Sequence, residues 1–280
     1  LPKIKKLQAK QFLEYFQGHQ DFKNLVEKST APPGEKFHLK GLIGSAKTIS
    51  IANLFLSSSK NIIVLLNDRE EAAYFFDDLN NLGLSANTLF FPASYKRSIQ
   101  YGQPEQENIL QRTEVLNKIS VNKNPYIIIS YPEALVETVI SESGLKTNTL
   151  GINRGDKIST DFLNEFLYEY GFERVDYVYE PGQFSVRGSI VDVFSFSHDD
   201  PYRLDFFGEE VESIRSFNID NQISKDTFEN ITIVPNIQNN EIEGNRVSLA
   251  EFIQSENLWV GNNLNQFFDH VTEIHRQTII

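Results

Sequence analysis

The sequence contains neither cysteine nor methionine. Without cysteine there is no disulfide framework and no thiolate metal site. The missing methionine, at the first position as elsewhere, points to a piece of a longer chain. Long apolar runs are absent too. The longest, Ile62 to Leu66, is strand-sized, far below the roughly 18 residues that span a bilayer. The opening Leu1-Pro-Lys-Ile-Lys-Lys6 lacks the apolar stretch of a signal peptide. A cytoplasmic address with no membrane partner is therefore expected. Positive charge is in short supply: 26 Lys and Arg face 38 Asp and Glu, a net charge of −12. Duplex DNA is gripped by clustered Lys and Arg that neutralise phosphates, so this chain is not expected to be a principal DNA grip. A local basic patch stays open, because net charge says nothing about distribution.

What is present builds packed cores. Hydrophobic residues make up 40% and aromatics 12%, with 22 Phe and 11 Tyr. A length of 280 residues allows two domains, or one with an insertion. Over residues 1–142 strand and helix patterns alternate. Phe37 to Ile43 reads as a strand, the stretch from Lys47 as a helix, Asn61 to Leu66 as a doubly buried strand, and the stretch from Arg69 as a helix stopped by Gly83. Strand patterns at Thr88 and Tyr126 follow, and Pro132 opens a helix expected to reach Ile140. This alternation predicts an α/β fold with a doubly wound parallel sheet.

After a polar boundary the pattern changes. Ser159 caps a helical pattern, and short strands broken by Pro181-Gly182, His198-Asp-Asp-Pro201 and Gly208-Glu209 follow. Tyr202, Leu204 and Phe206 alternate with Arg203 and Asp205, as in a half-buried antiparallel strand. Residues 143–222 are therefore expected to form a small α+β domain with an antiparallel sheet. Residues 223–280 are too few for a robust core of their own. They are expected to pack back on the first domain, which makes the middle domain an insertion.

One motif comes close to carrying chemistry. Gly41-Leu-Ile-Gly-Ser-Ala-Lys-Thr48 stands where a P-loop would, with Gly41, Lys47 and Thr48 in the register of GxxxxGK[ST]. Ala46 replaces the glycine that lets backbone approach phosphate, and a positive φ there would add strain. No Asp-Glu pair exists anywhere to organise magnesium. Three readings stay open: a vestigial loop, weak nucleotide binding without turnover, and a working ATPase. The first is the expectation, with no cofactor in this chain. The five histidines show no metal-ligand spacing.

The run Tyr179-Glu-Pro-Gly-Gln-Phe-Ser-Val-Arg-Gly-Ser-Ile-Val-Asp-Val-Phe194, followed by Tyr202-Arg-Leu-Asp-Phe-Phe-Gly-Glu-Glu-Val-Glu-Ser-Ile-Arg-Ser-Phe217, is far more specific. It resembles the signature shared by the excision-repair subunit UvrB and the transcription-repair coupling factors. UvrB-like proteins keep an intact P-loop and insert a long aromatic hairpin. Ala46 and the short stretch from Pro92 to Pro104 depart from both features. The likeness is therefore to the amino-terminal, UvrB-homology module of a coupling factor.

That resemblance implies a non-catalytic recruitment module whose middle domain docks UvrA. It implies a full-length protein that is an ATP-dependent translocase, using ATP and magnesium in motor domains elsewhere. RNA polymerase and DNA would be bound through those other domains, and a carboxy-terminal domain would cover the docking face at rest. Arg174 and Arg187 match arginines that contact UvrA in UvrB-like proteins, and Phe184 is a candidate apolar neighbour. Each has a plainer alternative: Arg174 as a solvated strand end, Arg187 paired with Asp192 or Asp205, Phe184 in the core. Charge reversal at both arginines is expected to weaken docking with little effect on stability. The rival reading is an ATP-binding, DNA-remodelling fragment.

Overall fold

The computed structural model describes residues 9–30, 34–58, 60–94, 106–121, 124–237, 244–253 and 256–278. The chain divides into two compact units. One draws on residues 1–92, 123–136 and 253–280, the other on residues 93–122 and 137–252.

In the first unit four strands form a parallel sheet in the order Asn257–Gly261, Asn61–Leu65, Ile127–Ser130, Thr88–Phe90. The two central strands are almost wholly apolar and buried, as strands covered on both faces must be. Helix Arg69–Leu79 begins at Asp68, whose side chain accepts from the amide of Glu71. Leu258 to Val260 lies in this sheet beside Ile62 to Val64.

Two expectations fail here. Residues 35–43 form no strand, and Phe37, Leu39 and Ile43 are exposed. Apolar content alone suggested a strand, but no sheet edge receives it. The helix opened by Pro132 stops at Val136, and Val139–Ile140 pairs instead with Arg246–Val247. A β-branched pair at Val139-Ile140 suits a ladder better than a last helical turn. The expectation about the length of Pro92 to Pro104 falls mostly outside the described residues.

The second unit holds a six-stranded sheet in the order Ser224–Phe228, Glu210–Phe217, Tyr202–Phe207, Ile190–Val193, Gln183–Arg187, Glu173–Arg174. All neighbours are antiparallel except the last pair, which is parallel. Side chains alternate between faces. Phe184, Val191, Val193, Leu204, Phe206 and Ile214 lie in the core with Leu163 and Leu167 of helix Thr160–Glu169. Ser159 caps that helix by accepting from the amide of Phe162, 3.1 Å away. The stretch read as a polar boundary is ordered: helix Glu142–Thr147 leads to strand Leu150–Asn153, which pairs with Asn230–Ile233.

Candidate docking surface

One edge of the six-stranded sheet is the short strand Glu173–Arg174, and the chain then runs through residues 175–182 before re-entering the sheet at Gln183. Four features fix this segment. The amide of Val175 donates to the Phe184 carbonyl at 2.9 Å. Val178 is buried with Phe194 and Phe217, a small apolar cluster separate from the main core. The side-chain oxygen of Gln183 accepts from the amides of Tyr179 (2.9 Å) and Glu180 (3.1 Å). The Gly182 amide donates to the Phe194 carbonyl at 2.8 Å. Gly182 sits at φ +88°, and a Cβ there would meet the Phe196 ring at 3.0 Å, so only glycine closes this turn without strain.

Arg187 ties the segment to the sheet. Its guanidinium donates to the Asp176 carbonyl at 3.0 Å, lies 5.1 Å from the centre of the Tyr177 ring, and pairs with the carboxylate of Asp192. Asp192 is 1% exposed and is shared with Arg203, whose Nε and Nη2 reach it at 2.7 and 2.8 Å. Hydrogen bonding to Asp192 raises the Arg203 pKa above its usual value, outweighing the opposite effect of burial. Arg203 also stacks 4.2 Å above the Phe217 ring. Next to this network Asp205 pairs with Arg215 and accepts from Ser213 at 2.9 Å.

The three residues proposed from the sequence do not form one patch. Arg174 is exposed at the edge, and among the described residues no carboxylate pairs with it. In register it stands opposite Phe184 and so shares that side of the sheet. Arg187 projects from the other side, with Asp192, and of its two plainer alternatives the Asp192 pairing is the one formed. Phe184 is a correction: it is 0% exposed, packed edge-on at 5.2 Å against Tyr168. Its even position on the strand turns it to the helix-covered core, so it offers no surface. Tyr177, Tyr179 and Gln183 were not singled out from the sequence. The only signal for them was a Tyr-x-Tyr placed just before a Pro-Gly turn.

In the other unit the glycine-rich stretch turns at Gly41 (φ +84°) and Gly44 (φ +56°), and Ala46 is the first residue of helix Ala46–Ser57. Among the described residues the one non-glycine with positive φ is Gln222, so the strain considered for Ala46 does not arise. Lys47 is half-buried. Thr48 is buried, and its hydroxyl donates to Asp78 at 3.4 Å.

Residues 150–238, which hold the entire six-stranded sheet and its edge segment, match the family model described as the UvrB interaction domain. That stretch is similar to a UvrB interaction domain. The chain is 32% identical over 216 residues to the transcription-repair-coupling factor of Bacillus subtilis, a match covering 77% of this chain and 18% of the relative. It is 26% identical over 204 residues to that of Escherichia coli, covering 72% and 17%. The UvrABC system protein B of Treponema denticola is 26% identical over 220 residues, 72% of this chain and 32% of the relative. The chain spans under a fifth of the length of the two coupling factors it resembles. The matched residues include Arg174, Phe184 and Arg187, whereas the glycine-rich stretch lies outside them.

Proposed function

We propose that this chain is a non-catalytic recruitment module of a transcription-repair coupling factor and that its UvrB interaction domain docks UvrA. The observation that carries the reading is the agreement between the matched residues, 150–238, and a six-stranded sheet with an exposed arginine at one edge, with which no carboxylate pairs among the described residues. Exposed arginine beside aromatic side chains is the usual make-up of an interface hot spot. Neither cofactor nor turnover is required of this chain. Contacts with RNA polymerase and DNA, ATP with magnesium, and a carboxy-terminal domain covering the docking face at rest are assigned to segments outside it. A cytoplasmic location goes with that role. The whole stretch 143–222 is the recognising part, and the glycine-rich loop is retained as scaffold.

The direct test is the affinity of the chain for purified UvrA, compared with that of Arg174→Glu. A loss of about tenfold or more is expected, since a charged hot-spot residue is reversed. Equal affinity in the variant would remove Arg174 from the surface, and no binding by the parent chain would remove the function.

One observation favours the rival reading of an ATP-binding, DNA-remodelling fragment: Gly41, Lys47 and Thr48 keep the P-loop register. It is separated by measuring ATP turnover with and without DNA. A DNA-stimulated rate abolished by Lys47→Ala would overturn the recruitment reading.

A further inference from the structure

The two arginines leave the segment between them, residues 175–182, without a part in docking, yet it is not built as a free loop. Val178 is 1% exposed. Gln183 holds the amides of Tyr179 and Glu180, Arg187 holds the Asp176 carbonyl, and Gly182 is hydrogen-bonded to Phe194. These attachments use backbone groups, Val178 and, through Arg187, the Tyr177 ring. The side chains of Tyr177 and Tyr179 are left outward, 53% and 57% exposed, on a backbone that cannot relax to cover them.

Charge narrows what such an edge recognises. From Glu173 to Arg187 there are three carboxylates (Glu173, Asp176, Glu180) and two guanidinium groups (Arg174, Arg187), a net of one negative charge. Long-range attraction of an acidic partner therefore has little to work with here. Arg187 is further neutralised by its pairing with Asp192. What remains for recognition along this segment is short-range: rigid tyrosine rings, which give contact area at small entropic cost.

We infer that residues 175–182 are a preorganised docking strap, in which Tyr177 and Tyr179 touch the partner while Gln183 and Arg187 act as positioning residues. The inference rests on the UvrA-docking reading above, and it makes Arg187 a clamp, not a contact. The partner surface it fits is UvrA's, and specifically an apolar patch that takes the two tyrosine rings. Preorganisation matters because a mobile strap would have to be ordered on binding, at the expense of affinity.

The test uses the full chain and purified UvrA. Tyr177→Ala and Tyr179→Ala are each expected to lower affinity by about tenfold, Tyr179→Ala with the melting temperature unchanged and Tyr177→Ala with a small drop from its lost contact with Arg187. Gln183→Leu, which removes the acceptor, is expected to lower affinity similarly and to speed amide hydrogen exchange at Tyr179 and Glu180. Gln183→Glu keeps an oxygen at the same reach and is expected to restore both. A merely structural role for Gln183 would not predict rescue of binding together with those two amides. If both tyrosine variants bind as the parent does, or if exchange at Tyr179 and Glu180 ignores Gln183→Leu, the strap is overturned while UvrA docking stands. If the parent chain does not bind UvrA, the docking function itself falls and the recognition role of the strap goes with it.

Discussion

Arg203 meets Asp192 through two parallel hydrogen bonds, 2.7 Å from Nε and 2.8 Å from Nη2, between directly opposed positions on neighbouring strands. Bidentate pairing of this kind is among the stronger polar contacts in proteins. Here it explains how a carboxylate can be 1% exposed. Arg187 approaches the same carboxylate from the other side, so one buried anion holds two cations from flanking strands. The arrangement also settles a conflict in the sheet. Arg203 lies directly opposite Arg215, and like charges opposed in this way destabilise a ladder unless each finds its own acid. Asp192 and Asp205 supply those acids.

Asp192→Ala is therefore expected to be the most damaging single polar change in the six-stranded sheet. Removing one partner from a buried pair leaves the other charge uncompensated, with a loss of about 3–5 kcal/mol. Chemical denaturation of the variant against the parent chain measures it. A loss under about 1 kcal/mol would show that the arginines re-solvate freely, and the network would then be ornamental.

The two arginines matched to UvrB contacts should behave oppositely in stability. Arg174 has no ion-pair partner among the described residues, so Arg174→Glu is expected to shift stability by no more than about 0.5 kcal/mol. Arg187→Glu sets a carboxylate against buried Asp192 and releases Asp176, so a loss above about 2 kcal/mol is expected. This corrects the sequence-based expectation that reversing both would leave stability nearly untouched. Thermal melts of the two single variants separate the cases, and only Arg174→Glu gives a clean binding test.

Much of this domain was legible from residues alone, and the reasons are local. Tyr202, Leu204 and Phe206 at period two announced a strand with one buried face, and their burial alternates as expected. Ser159 announced its helix because an N-cap needs only one side-chain oxygen near the next turn. Failures came where the outcome depends on distant partners. Phe37 to Ile43 has strand composition but no sheet edge to join. Whether Phe184 is core or surface turns on strand parity, which a one-residue shift reverses. The pairing of Arg187 with Asp192 was one of two read from the sequence, but its attachment to Asp176 and Tyr177 was not, and no spacing rule encodes it.

Tyr202 makes a pH prediction. Burial pushes its pKa up to about 12, with the Ser197 hydroxyl opposing and Glu114 assisting. An unfolded tyrosine titrates near 10, so between about pH 10 and 12 the unfolded chain releases a proton that the folded one retains. Stability from this group is complete below about pH 10 and is lost as pH rises through about 12, by roughly 2–3 kcal/mol. Tyr202→Phe should flatten that part of the stability profile. Identical alkaline slopes for parent and variant would mean that the phenol ionises as easily in the folded chain.

The turn at Gly182 offers the most local test of how the edge of the sheet is built. Its φ of +88° is a conformation that costs a side-chain-bearing residue about 1–2 kcal/mol, and an added Cβ would stand 3.0 Å from the Phe196 ring. The ring is partner to Phe172 at 6.4 Å, so it cannot swing away without disturbing the core. Gly182→Ala is expected to lose about 2–4 kcal/mol when strain and overpacking combine. Gly208, at φ +65° with nothing near its Cβ position, is the internal comparison: Gly208→Ala carries the strain alone and should lose about 1–2 kcal/mol. Denaturation midpoints for the two variants report the difference. Equal losses would mean that the Phe196 ring yields at no cost and that backbone conformation alone dictates glycine at residue 182.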